Sequence, residues 1–150
     1  MRVYLDNCCY NRPFDDQSQV KVQVETISKL AVQMLMATGY VEYAWSSTLD
    51  YEISFNPYPK RRKVIMWWRA KAAEYVGIQE SATRRAEVLE GLGLKPKDAL
   101  HLASAEAAGC DWFLTTDRGI INKATGRVKV RVANPVDFIM EVGDHGNDRQ

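Results

Sequence analysis

Hydrophobic and polar residues follow one another in blocks whose periods predict strands and helices in alternation. Short apolar runs predict strands at Arg2–Leu5, Tyr40–Trp45 and Asp111–Thr115, and the strict alternation of residues 128–132 predicts an edge strand. Helical periodicity predicts helices over residues 18–38, 47–56, 60–75, 80–89, 96–108, 117–124 and 135–142, with a loop from Asp6 to Gln17. This alternation is typical of a three-layer α/β/α domain with a central, mostly parallel sheet.

The longest predicted helix has a clear apolar pattern. Its apolar residues recur at steps of three and four, which is the mark of a single apolar helix face: Val20, Val24, Ile27, Leu30, Ala31 and Met34. The next helix is predicted to begin with a capping box, Ser47-Thr48-Leu49-Asp50.

Length and composition indicate one globular domain. The chain has 150 residues, 46% hydrophobic and 26% charged, so we expect one domain over residues 1–142 and a polar, disordered tail over 143–150. The apolar runs are too short for a membrane helix, and an acid at position 6 comes too early for a secretory signal, which predicts a cytoplasmic protein. Three cysteines without such a signal predict free thiols. The net charge of +1 gives no strong basic field for nucleic acid.

Four acidic residues occupy the edges of predicted elements. Asp6 ends the first strand, Asp117 follows the strand ending at Thr115, and Asp98 lies in the first turn of a helix. Glu52 shares a helix face with Leu49, so we do not expect its carboxylate to be an ordinary solvent-exposed surface charge. The carboxyl ends of parallel strands form the ligand-binding edge of an open sheet, and gathered carboxylates there favour a hard cation such as Mg²⁺ or Mn²⁺.

Each of these acids also has an ordinary structural explanation. Asp6 suits a turn after a strand, Asp98 suits the helix dipole, and Asp117 suits an N-cap. Glu52 suits an ion pair with a lysine or arginine. Of the two histidines, His101 suits a hydrogen-bonded helix position.

Three segments carry a resemblance to a known family. Val3-Tyr4-Leu5-Asp6-Asn7, Lys97-Asp98-Ala99-Leu100-His101-Leu102-Ala103-Ser104-Ala105 and Leu114-Thr115-Thr116-Asp117 resemble the opening strand, central helix and T-x-D motif of the PIN domain. The segment Ser47 to Ile53 fits the family's remaining acidic helix. This fold is that of many small bacterial ribonucleases, including VapC-like toxins.

The resemblance implies a metal-dependent endoribonuclease. Asp6, Glu52, Asp98 and Asp117 would surround one or two Mg²⁺ or Mn²⁺ ions, and Thr115 would hydrogen-bond within the site. The implied partners are RNA, an antitoxin protein and a second copy of the chain, with no membrane. Arg12, on the loop after Asp6, is our predicted phosphate contact, and Thr115 is the second residue that we assign to substrate binding. Basic clusters at residues 60–63 and 84–85, and stacking by Trp67 and Trp68, are weaker candidates for RNA contacts.

Two other functions remain open. A non-catalytic module of the same fold would use the acids as caps and the tryptophan-bearing helix as its interaction surface. A phosphohydrolase or phosphoacceptor domain would usually need a second acid after the first strand and a lysine after a later strand. Here Asn7 and Cys8 follow Asp6, and Thr116 follows Thr115, so we rank this function last.

Overall fold

A five-stranded parallel sheet forms the centre of the molecule in the computed structural model, which describes residues 1–147 and the side chains of residues 1–143. The strands are β1 (Arg2–Leu5), β2 (Glu42–Ser46), β3 (Glu74–Val76), β4 (Trp112–Leu114) and β5 (Arg131–Ala133). Their order is β3-β2-β1-β4-β5, and all four pairings are parallel. The predicted α/β class and parallel sheet are therefore confirmed.

Helices join the strands. They are α1 (Asn7–Asn11), α2 (Val20–Ala37), α3 (Ser47–Ser54), α4 (Pro59–Met66), α5 (Glu80–Glu90), α6 (Pro96–Ala107), α7 (Arg118–Ala124) and α8 (Pro135–Asn147), with short 3₁₀ turns at Arg12–Phe14 and Arg69–Lys71. Helix α2 packs against α8, and α5 packs against α6. None of the helices within residues 1–147 is long and apolar enough to span a membrane.

The central strand explains why the fold has three layers. Val3, Tyr4 and Leu5 are all fully buried, although successive strand residues point to opposite faces of a sheet. Both faces of β1 are therefore covered by helices, as is usual for parallel sheets. Strand β1 and its neighbour β4 are held in place by their burial. Asp6 and Asp117 follow these two strands in the chain.

Several predicted boundaries are wrong for identifiable reasons. Residues 6–17 are not a simple loop, because the Asp6 side chain caps α1 by accepting from the Asn7 N–H. The predicted helix 60–75 ends at Met66, and its last residues form strand β3, whose three residues depend on pairing with β2. The predicted capping box is also displaced: Ser46, rather than Ser47, accepts from the Leu49 N–H. The edge strand lies at residues 131–133 instead of 128–132.

The apolar stripe of α2 faces outward. Val20, Ile27 and Met34 are 72%, 67% and 68% exposed, whereas the polar residues Glu25 and Lys29 of the same helix are buried. Such a stripe usually faces a protein core. Here the side of α2 that faces the core carries buried polar residues instead. We call the exposed stripe of Val20, Val24, Ile27, Leu30 and Met34 the α2 apolar face.

The C-terminal helix is longer than expected. Helix α8 continues to Asn147, beyond the predicted helix end at Val142, and residues 148–150 lie outside the described part of the chain. The disorder expected for residues 143–150 stays a prediction. The cysteines are free thiols as predicted, with Cys9 and Cys110 buried.

Candidate metal centre

The four predicted acids lie at the carboxyl edge of the sheet. Asp6 directly follows β1 and Asp117 closely follows β4, while Glu52 lies on α3 and Asp98 in the first turn of α6. Carboxylate oxygens of Asp6 and Glu52 lie within 4.8 Å of each other and of a ring nitrogen of His101. Asp98 and Asp117 line one cavity of about 210 Å³.

Asp6 is the most buried of the four acids, with 6% of its surface exposed. Its Oδ1 accepts from the Asn7 N–H at 2.8 Å, and its Oδ2 accepts from the Thr115 hydroxyl at 2.9 Å. The Cys8 thiol also donates to Oδ2, at 3.5 Å. These donors fix the orientation of the carboxylate and compensate part of the cost of burying its charge.

Glu52 is held from three directions. One oxygen is hydrogen-bonded to His101 Nε2, and the other accepts from the Asn7 side-chain amide at 3.0 Å and lies 3.6 Å from Lys97 Nζ. Burial alone would raise the pKa of Glu52, but His101, Lys97 and Asn7 together lower it below its ordinary value. Glu52 is therefore ionised at neutral pH and keeps lone pairs for a cation.

His101 connects this acid to the core. It is fully buried; its Nδ1 shares a 2.6 Å hydrogen bond with the Tyr4 hydroxyl, which in turn shares one of 2.6 Å with Ser46. Both ring nitrogens are thus engaged, so His101 acts as the support of Glu52 rather than as a free metal ligand. The sequence indicated a hydrogen-bonded helix histidine, but not that its partner would be a site acid.

Asp98 carries the clearest sign of crowded negative charge. Burial raises the pKa of Asp98, and the neighbouring charges of Asp6 and Asp117 raise it further, against a smaller opposing effect of His101. Asp117 is exposed and also caps α7, with its Oδ1 accepting from the Gly119 N–H at 2.8 Å. As a carboxylate has two oxygens, capping leaves Oδ2 available.

The donor set fits a hard divalent cation. Carboxylate oxygens are the ligands that Mg²⁺ and Mn²⁺ prefer. A cation among them would offset both the burial and the mutual repulsion that raise the pKa of Asp98. Asp6 and Glu52 would hold such an ion first, because their oxygens lie closest together, with Asp98 and Asp117 completing the acidic rim.

The two predicted substrate contacts take other positions. Thr115 is fully buried, donates to Asp6 and accepts from the Asp117 N–H at 3.1 Å, so it aligns two acids and cannot touch a substrate. Arg12 donates to Glu25 at 2.7 and 3.0 Å and to Asp15 at 3.0 Å. Because its guanidinium neutralises these two carboxylates, we do not retain Arg12 as a phosphate contact.

Other basic residues also contact side chains of the protein itself. Arg85 pairs with Glu106, and the Arg61 guanidinium lies 3.9 Å from the centroid of the Tyr58 ring. Trp68 packs against the core beside Tyr43, while Trp67 is half exposed. Sequence reasoning passed over Lys97, whose ammonium lies beside Glu52, although its place next to Asp98 was a usable signal.

Comparisons with known proteins agree with this architecture. The sequence model of the PIN domain matches residues 3–126. A crystal structure of VapBC2 from Rickettsia felis, bound to a DNA fragment from their promoter, contains a chain that is similar in fold, with a TM-score of 0.56 and 16% identity. The similarity covers 89% of this chain and 98% of that one. No curated protein matches the sequence. The family match spans most of the chain and includes the segments that carry all four acids, so the protein belongs to the PIN domain family.

Proposed function

We propose that this chain is a metal-dependent endoribonuclease that hydrolyses phosphodiester bonds of RNA. PIN domains are generally nucleases. The observation that carries the proposal is the gathering of four acids at one edge of the sheet. Oxygens of Asp6 and Glu52 lie within 4.8 Å of each other, and burial together with the nearby charges of Asp6 and Asp117 raises the pKa of Asp98. A protein that used these residues only as caps would have no reason to bring them together.

The chain's own residues would prepare the site for this reaction. When bound, Mg²⁺ or Mn²⁺ supplies positive charge to the scissile phosphate and lowers the pKa of water. Thr115 and Asn7 hold Asp6, and His101 holds Glu52, so both carboxylates are oriented before an ion arrives. Lys97 is half exposed beside Glu52 and can contact a phosphate oxygen.

Cleavage of a mixed RNA pool tests the proposal. Purified protein in Mn²⁺ or Mg²⁺ should cut RNA, and EDTA should abolish cutting. Asp6→Asn should abolish it too, whereas Asp16→Asn, which changes an exposed acid on the loop before α2, should cut like the wild type. Cutting that survives EDTA or Asp6→Asn would refute the proposal, and so would a folded wild type that cuts no RNA under either metal.

We also propose a protein partner of the antitoxin type. The similar solved structure is a VapBC2 complex. An apolar cavity of about 600 Å³ is lined by part of the α2 apolar face, Ile27, Leu30 and Met34, together with Tyr40, Ile139 and Val142. Exposed surfaces of this kind mark interaction sites.

The partner should be sought among small proteins whose genes lie next to the gene of this chain. Ile27→Asp should weaken its binding at least tenfold while leaving the fold intact, because Ile27 is 67% exposed. Val88→Asp, at a 63% exposed position on α5, is the matched control. If Ile27→Asp instead dissociates a dimer of the chain alone, the face is a homodimer interface.

A further inference from the structure

A second pocket lies immediately beside the acidic site. It has a volume of about 360 Å³ and lies between α3, the start of α6 and the segment after β3. Its walls include Ser47, Thr48, Tyr51, Ile78, Pro96 and Lys97. We call it the lateral pocket. Its volume is near the lower end of ligand-sized clefts, roughly 300–1,000 Å³, which suits one planar ring system better than a peptide segment.

The lateral pocket and the acidic site are built on the same two helices, α3 and α6. Lys97 lines the pocket, yet its ammonium lies 3.6 Å from Glu52, and Asp98 follows it in the chain. Tyr51 lines the pocket and directly precedes Glu52 on α3. A phosphate held at the acids would therefore place the adjoining nucleoside at the mouth of this pocket.

The wall chemistry suits a nucleobase. Tyr51 is 63% exposed, and its ring is braced edge-on by Phe55 at a centroid distance of 4.9 Å. Ile78 is 92% exposed and adds a second apolar surface. Among the residues that the structure describes, the Ser47 and Thr48 hydroxyls have no hydrogen-bond partner, so they are free to bond a base edge.

We propose that the lateral pocket binds one nucleobase of single-stranded RNA, from the nucleotide next to the scissile phosphate. Tyr51 stacks on the base, Lys97 contacts the connecting phosphate, and the Ser47 and Thr48 hydroxyls bond the base edge. A paired base cannot enter, so the pocket selects unpaired RNA. This inference rests on the proposed ribonuclease function and adds a substrate preference to it.

Three variants test the pocket. Tyr51→Ala should lower kcat/KM on single-stranded RNA about tenfold, in the range of base–aromatic stacking, and flatten the base preference at one position beside the cut. Tyr51→Phe keeps the ring and should retain both. Tyr58→Ala is the matched control, since Tyr58 is also half exposed but the Arg61 guanidinium already covers its ring at 3.9 Å. Cleavage sites in a randomised RNA are mapped by sequencing, and thermal unfolding verifies that each variant is folded.

The outcomes separate the two proposals. If the wild type cuts with metal and Tyr51→Ala keeps its rate and preference, the pocket assignment is wrong and the nuclease stands. An equal loss in Tyr58→Ala, or a change in oligomer mass in Tyr51→Ala without a change in RNA affinity, also overturns it.

If the wild type does not cut, RNA binding tests the pocket independently of cleavage. Binding is measured by fluorescence anisotropy of a labelled six-nucleotide RNA. Weaker binding by Tyr51→Ala than by Tyr51→Phe supports the pocket, and equal or undetectable binding by both overturns it.

Discussion

Lys29 is a buried cation whose removal should stabilise the protein. It is 5% exposed on the core side of α2, its ammonium lies 6.0 Å from the centroid of the Tyr10 ring, and it has no carboxylate partner among the described residues. Burial lowers the pKa of Lys29 from 10.5 to about 8, and Cys9 opposes this only in part. We predict that Lys29→Met, which keeps the chain length and removes the charge, raises the free energy of unfolding.

The size and pH dependence of the effect follow from that pKa. At pH 7 lysine is charged in both states, and the difference between 10.5 and about 8 corresponds to a cost of ~3 kcal/mol in the folded state. Because the folded pKa lies below the unfolded one, the cost is constant below pH 8 and disappears as the pH rises to about 10.5. Allowing for imperfect packing of methionine, we expect a gain of ~1–3 kcal/mol at pH 7.

Urea unfolding in EDTA at pH 7 and pH 9.5 measures this effect without any contribution from metal. The advantage of Lys29→Met over the wild type should shrink at the higher pH. Lys21→Met, at an exposed position on the same helix, should change stability by less than about 0.5 kcal/mol at both. A Lys29→Met protein that is less stable than the wild type at pH 7, or an advantage independent of pH, would refute the reasoning.

Three further predictions concern the site and its supports. Saturating Mn²⁺ should raise the melting temperature of the wild type by ~5–10 °C, as expected for about 2.7 kcal/mol of binding at a hundredfold excess over Kd, and an unchanged melting temperature would contradict a metal site. His101→Ala should cost ~2–4 kcal/mol of stability, because it empties a fully buried position and leaves Tyr4 and Glu52 short of a partner; a cost below 1 kcal/mol would contradict this. Glu25→Gln should lower the free energy of unfolding by ~2–4 kcal/mol, because it leaves the Arg12 guanidinium only partly paired. Urea unfolding measures this loss. It should show a much smaller effect for Glu80→Gln, which changes an exposed acid of α5.

The sequence predicts those parts of the fold that depend on local signals. Strand β1 is a short apolar run, α6 begins at a proline, and Asp117 caps α7 as expected. Strand β3 has no comparable signal, because its three residues form a strand only by pairing with β2. Its position, and with it the end of α4, could not be predicted from local periodicity.

Helix α2 shows a second limit of sequence reasoning. Periodicity identified its apolar stripe correctly, but periodicity cannot say which side of a helix meets the core. The opposite side is buried, and its Glu25 pairs there with Arg12 and Asn134, which lie 13 and 109 positions away in the sequence. Only the folded chain brings these partners together.

The candidate site shows the same division. The positions of the acids at strand and helix ends are visible in the sequence. The contact between His101 and Glu52 joins residues 49 positions apart, and that between Thr115 and Asp6 joins residues 109 apart. Sequence spacing therefore identified the candidate carboxylates, and could not predict what orients them.

Asp98→Asn gives the most direct test of the central claim, that these acids are gathered for metal-dependent RNA cleavage at a cost in stability. RNA cleavage in Mn²⁺ and urea unfolding in EDTA are measured on the same preparation. Because the pKa of Asp98 is raised, ionisation of this group destabilises the metal-free fold above its pKa. We predict that Asp98→Asn abolishes cleavage while the metal-free protein becomes more stable at pH 7, with the gain vanishing below about pH 4. Retained cleavage, or loss of cleavage together with loss of stability, would contradict the account.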